Sequence, residues 1–135
     1  MQNNSLKITF IIMKKIRNTE HLKLNLLFNL EKKLQKERPE QCLFIAVILQ
    51  ALLDATKPKL RDEEYEVSYE RERAKAWFFA SVGVTCRDFI TVCDHAGVDY
   101  SDTRGFAHQL LQSKQKPRVR RRINLLLKKD LPIKI

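Results

Sequence analysis

The feature that most constrains the fold is an uncharged run in the first half of the chain, over residues 41–53. Its sequence, QCLFIAVILQALL, holds no charged side chain over 13 positions. A helix that is apolar on nearly all sides must be covered on nearly all sides, by the rest of the chain or in part by a partner chain. Because a membrane span needs about 20 apolar residues, the run is too short to cross a bilayer. We therefore predict a central buried helix over 40–55, entered through Pro39.

Glycine and proline are too scarce for a sheet protein. The chain has three glycines and four prolines in 135 residues, whereas hairpins and sandwiches use these residues at nearly every corner. The 44% of hydrophobic residues can form a core, and the length suits one domain. We predict an all-α fold, a compact bundle of five or six helices, in a helical domain over 19–113 that follows an N-terminal extension over 1–18.

Two further amphipathic helices are expected around the central one. Over 21–37, Leu27, Leu30 and Leu34 lie on one helical face, and we expect this helix to mediate a homo-oligomer. Residues 56–69 contain Pro58 and a cluster of carboxylates, which indicates a loop or hinge with a solvated acidic surface. Helical character returns over 70–81, with aromatic residues facing the core.

A helix-turn-helix is predicted over 85–112. Thr85 can cap the first helix, and Gly97 stands where a residue with positive φ would end it. Asp99 or Ser101 can cap the second helix. A small residue at the helix crossing, a glycine at the turn and an apolar residue after it are typical of this motif, which Gly97 and its neighbours satisfy.

The segment TVCDHAGVDY, residues 91–100, resembles the helix-turn-helix of LacI-type repressors, whose turn has the same Ala-Gly-Val-x-Tyr run. The wider pattern resembles small uncharacterised phage and prophage helical proteins. The first resemblance implies that the second helix faces a DNA groove, with base contacts from Tyr100, Ser101, Thr103 and Arg104. Arg104 is the residue most able to reach a guanine edge. A helix-turn-helix used only for packing remains open, because Gly105 interrupts the second helix.

Positive charge is concentrated at the C-terminal end. Residues 114–135 hold nine basic and one acidic side chain, a net of +8, which leaves 17 basic and 15 acidic, a net of +2, for residues 1–113. We predict a basic helix or arm that docks by an apolar stripe and binds DNA phosphates. A solvated tail and a membrane-surface helix are the alternatives. The expected phosphate contacts are Arg87, Lys114, Lys116, Arg118, Arg120, Arg121, Arg122, Lys128 and Lys129.

No catalytic or metal-binding pattern appears in the sequence. The three cysteines form no CxxC pair, and the three histidines do not stand at metal-ligand or Cys/His spacing. We expect a cytoplasmic, non-enzymatic protein without cofactor or metal that binds double-stranded DNA as a transcriptional regulator or a packaging subunit. The alternative is a protein-binding module, an inhibitor or adaptor of a host protein.

Overall fold

The computed structural model describes residues 25–36 and 38–129, and within them the chain forms six helices and no strand. This confirms the predicted all-α bundle. The helices are α1 (25–34), α2 (Pro39–Ala55), α3 (Tyr65–Phe79), α4 (Gly83–Ala96), α5 (Tyr100–Gln112) and α6 (Lys116–Lys129). The expected extension over 1–18, the start of the 21–37 helix and the end of the basic segment lie outside the described residues. None of the six helices alone is long and apolar enough to span a membrane, although α3 and α4 pass that test as a pair bent by 77°.

Helix α2 is the centre of the core, as the uncharged run predicts. Ile45, Ile48 and Leu49 are fully buried, and α3, α4 and α6 pack around them. The expected cover on nearly all sides is not complete. Leu43 is 52% exposed and Val47 is 41% exposed, so one side of α2 faces solvent.

The leucine stripe of α1 belongs to the same core. Leu27, Leu30 and Leu34 are at most 3% exposed, and the Cys42 thiol of α2 donates a hydrogen bond to the Leu34 carbonyl, at 3.6 Å. The structure therefore confirms that Leu27, Leu30 and Leu34 form the apolar face of an amphipathic helix. Its apolar face is buried within the chain, which removes the reason for expecting an oligomer through this helix.

Helix α3 begins five residues before the predicted start at position 70. The alternating segment 65–69 forms its first turns, in which the rings of Tyr65 and Tyr69 stack with their centroids 6.0 Å apart. The acidic cluster is only partly solvated, because Glu63 forms an ion pair with Arg71 and their side chains are 11% and 5% exposed. The hydrogen bond from the Arg71 guanidinium lowers the pKa of Glu63 to about 2.

The predicted turn between α4 and α5 is present. Gly97 has a φ of 77°, and the Val98 amide donates to the Cys93 carbonyl at 3.0 Å, which closes α4 in a left-handed cap. A β-carbon at Gly97 would lie 2.5 Å from the amide nitrogen of Gln41, which itself donates to the Ala96 carbonyl. The backbone conformation thus favours glycine here, and a β-carbon would also displace the end of the Gln41 side chain from its hydrogen bond.

The cap of α5 is as predicted and that of α4 is not. Asp99 accepts a hydrogen bond from the Asp102 amide at 2.9 Å and caps α5. Helix α4 begins at Gly83, so Thr85 lies inside its first turn and does not cap it. Asp88 accepts from the Trp77 indole nitrogen at 2.7 Å, which ties α4 to α3.

Candidate nucleic-acid interface

Helix α6 lies on the core by one side and presents cations on the other. Val119, Ile123 and Leu126 are buried at 7%, 0% and 2% exposure, which confirms the predicted apolar stripe. The helix contains no acidic residue. Its opposite side, hereafter the basic face of α6, carries the exposed side chains of Arg118, Arg121, Arg122 and Lys128. From first to last, these residues span about 15 Å along the helix axis. The side chain of Lys129, another predicted phosphate contact, lies outside the described part of the structure.

Most of the basic face is free of carboxylate partners. Arg122 donates to both carboxylate oxygens of Glu31 in α1, at 2.8 and 2.6 Å. The other three cations form no ion pair with any residue that the structure describes. Leu125, 49% exposed, lies among them, and the face carries no aromatic side chain.

Arg120 does not share this orientation, contrary to the prediction that it reaches a phosphate from the surface. Its side chain is half-buried, and one guanidinium nitrogen donates to the Leu53 carbonyl and, at 2.8 Å, to the Thr56 hydroxyl. Burial lowers the pKa of Arg120, and the nearby charge of Asp54 opposes that shift. Arg120 thus binds the C-terminal end of α2.

Arg104 is turned inward in the same way. Its Nε donates to the Phe78 carbonyl at 2.7 Å and its Nη2 donates to the Ala80 carbonyl at 2.9 Å, at the end of α3. The guanidinium also lies 5.3 Å from the ring centroid of Phe89 and 5.8 Å from that of Tyr100. This orientation differs from the expected one, in which Arg104 faces a DNA groove, because its Nε and Nη2 donate within the fold.

Each inward-facing cation binds the C-terminal end of another helix, which we did not predict from the sequence. Helices α2, α3 and α5 have no basic residue in their last turn, so their terminal carbonyls lack a local cation. Arg120 supplies one to α2, Arg104 supplies one to α3, and Lys116 donates to the Leu111 carbonyl of α5 at 3.2 Å. The absence of a basic residue from the last turn of α2, α3 and α5 is the sequence feature that could have predicted these contacts.

The outward face of α5 is poorly suited to reading bases. Thr103 is fully buried and its hydroxyl donates to the Asp99 carbonyl at 2.9 Å, so the prediction that it faces a groove is wrong. Tyr100 and Ser101 are exposed, as expected. They lie in the same turn as the exposed carboxylate of Asp102, which repels phosphate.

Helix α1 also lies beside that face. Asn25 and Asn29 of α1 line a groove of about 400 Å³ together with Ser101 and Gly105 of α5. A recognition helix must enter the major groove, which is only about 12 Å wide. Helix α1 therefore flanks the face of α5 that would have to enter the groove.

Two predicted phosphate contacts lie outside α6, and the cysteine and histidine side chains form no reactive site in the described residues. Arg87 is exposed on α4, far along the chain from α6, and Lys114 is exposed two residues before α6 begins. Burial raises the pKa of the Cys93 thiol to about 11, which disfavours the reactive thiolate. Within 25–36 and 38–129, no three histidine, cysteine or carboxylate side chains group as metal ligands. His95 stacks on Phe44 with centroids 4.6 Å apart.

Comparison of the chain with known protein families, with curated proteins and with solved structures finds no significant match. The resemblance of residues 91–100 to LacI-type repressors thus stays a prediction from the sequence.

Proposed function

We propose that this protein binds duplex DNA through the basic face of α6. The observation that carries the proposal is a helix of seven basic and no acidic residues whose apolar side is buried in the core. The fold therefore fixes the helix so that Arg118, Arg121, Arg122 and Lys128 face outwards together. Because residues 1–113 are almost charge-balanced, a polyanion is attracted to this face rather than to the whole surface.

The composition of the face favours a duplex over a single strand. Single-strand binders stack bases on aromatic side chains, and α6 offers none. Cations along about 15 Å of helix match the dense phosphates of double-stranded DNA. Contacts of this kind position a protein without reading sequence, so we expect little sequence preference.

In this proposal the helix-turn-helix positions the core and does not read bases. The inward Arg104, the buried Thr103 and the adjacent α1 support this role. The cytoplasmic phage or prophage setting, as a regulator or a packaging subunit, depends on the sequence pattern alone and belongs to the proposal.

The test is fluorescence anisotropy of labelled random duplex DNA over a salt series. The variant Arg118→Gln, Arg121→Gln and Lys128→Gln removes three exposed cations from the basic face. The matched control Lys36→Gln, Arg38→Gln and Arg73→Gln removes the same charge from exposed positions outside α6.

Each phosphate contact contributes about 0.9 to the slope of log K against log salt, so the α6 variant should lose about 2 to 3 from that slope. The control should keep nearly the parent's slope. Equal losses in both variants would mean that only net charge matters. An affinity of the parent that does not change with salt would contradict DNA binding and favour the protein-binding alternative.

A further inference from the structure

A second basic feature lies beside α6, in a cleft of about 700 Å³ between the residues that follow α2, helix α3 and the start of α6. Ligand sites of small molecules have volumes of about 300 to 1,000 Å³. Seven basic side chains line this cleft, and Glu72 is the one carboxylate among its lining residues. Three of the predicted phosphate contacts line the cleft, Lys116, Arg120 and Arg121, and Arg121 also belongs to the basic face of α6.

Three of the seven cations are already paired. Arg71 is bound by Glu63, Lys57 is bound by Glu70, and Lys75 lies 3.5 Å from Glu72. The other four form no ion pair with a carboxylate of the described residues, and they are Lys59, Lys116, Arg120 and Arg121. The cleft therefore concentrates about four uncompensated positive charges.

These four cations retain donors for a ligand. Both recorded hydrogen bonds of Arg120 come from Nη1, which leaves its Nε and Nη2 without an acceptor in the described part of the chain. Lys116 donates once, to the Leu111 carbonyl. Pro117 lines the cleft as well, so the positive end of the α6 dipole lies at the same place.

We infer that this cleft binds the phosphate of a phosphomonoester. A phosphomonoester carries about −1.5 to −2 charges at pH 7, whereas a phosphodiester carries one, so a cluster of four cations favours the monoester. The half-buried Arg120 strengthens the preference, because a guanidinium binds phosphate with two parallel N–H donors. Two sources share this chemistry, a free nucleotide and the 5′-phosphate at the end of a nucleic acid strand. The site does not depend on the proposed DNA binding.

Calorimetry with adenosine 5′-monophosphate, adenosine and adenosine 3′,5′-cyclic monophosphate tests the site. The three probes share a base and differ in phosphate charge. We expect the monoester to bind at least tenfold more tightly than the cyclic diester, and adenosine not to bind. Affinity should rise from pH 5 to pH 7, since the second phosphate proton leaves near pH 6.

The variant Lys59→Gln and Lys116→Gln should weaken binding of the monoester by roughly tenfold or more. Its control, Lys36→Gln and Arg73→Gln, should match the parent. The inference is wrong if the monoester does not bind at millimolar concentration, if adenosine binds equally well, or if both variants lose the same affinity. In each case duplex DNA binding through Arg118 and Lys128 can still be present, so the two proposals fail separately.

Oligonucleotides distinguish the two sources. If a 5′-phosphorylated single strand binds more tightly than its 5′-hydroxyl counterpart, and Lys59→Gln removes the difference, the cleft takes a strand end. If only the free nucleotide discriminates, the cleft takes a nucleotide.

Discussion

Replacement of Arg104 tests whether this residue reads bases or stabilises the fold. In the structure its guanidinium makes two hydrogen bonds to the end of α3, to Phe78 and Ala80, and lies over the Phe89 ring. A hydrogen bond to a charged group contributes about 1.5 to 3 kcal/mol, and the lower value applies because Arg104 is half-buried. Two such bonds give about 3 kcal/mol for Arg104→Ala, out of a total stability of roughly 5 to 15 kcal/mol.

Urea denaturation followed by circular dichroism measures this loss. With a slope of about 1 to 3 kcal/mol per molar urea, the midpoint should fall by about 1 to 3 M. Arg104→Lys should fall between the parent and Arg104→Ala, because an ammonium cannot form both bonds of the guanidinium fork. Arg87→Ala is the control, since Arg87 is exposed and its loss should cost less than about 0.5 kcal/mol. An Arg104→Ala midpoint equal to that of Arg87→Ala, with an altered DNA sequence preference, would mean that Arg104 reads bases and does not stabilise the fold.

Three further outcomes are expected. Gly97→Ala should destabilise the fold by about 1 to 2 kcal/mol because φ is positive, whereas Gly105→Ala should stabilise it by about 1 kcal/mol because open space surrounds an exposed helical site; in thermal unfolding, the midpoint temperature should fall for Gly97→Ala and rise for Gly105→Ala. Because the pKa of Glu63 is lowered to about 2, its pair with Arg71 stabilises the fold fully above the usual pKa of about 4.3. This contribution is lost as the pH falls towards 2, so Glu63→Gln should flatten the acid side of the stability profile; an unchanged profile counts against the pair. Cys93 should react with a disulfide reagent at pH 8 only after unfolding; rapid reaction of the native protein would mean that the thiol is accessible.

The parts of the fold that were predictable are those controlled by neighbours in the sequence. The 13-residue uncharged run can only be a buried helix, and it is α2. Gly97 is required by a turn whose positive φ other residues resist, and the turn is there. We did not predict the start of α3, because Tyr65 and Tyr69 alternate with polar residues as in a strand. In the structure the two rings stack one helical turn apart, in the first turns of α3.

The candidate site was harder to predict, because an arginine looks the same in sequence whether it meets a phosphate or a carbonyl. Arg120 finds its partners 64 and 67 residues earlier in the chain, and Arg104 finds its partners 24 and 26 residues earlier. No local pattern encodes contacts over such separations. The local pattern shows only that a cation is missing, since α2 and α3 each end without a basic residue in the last turn.

The contact between α2 and α6 also sets a condition on how the chain folds during synthesis. Helix α2 ends at residue 55 and α6 begins at residue 116, so 60 residues must be added between the two. At about 5 to 20 residues per second, the ribosome needs about 3 to 12 seconds for that stretch. Throughout that interval the most apolar helix of the chain lacks the partner that covers part of its surface and binds its C-terminal end. The nascent chain is therefore most exposed to aggregation and to chaperone capture before the arginines of α6 leave the ribosome.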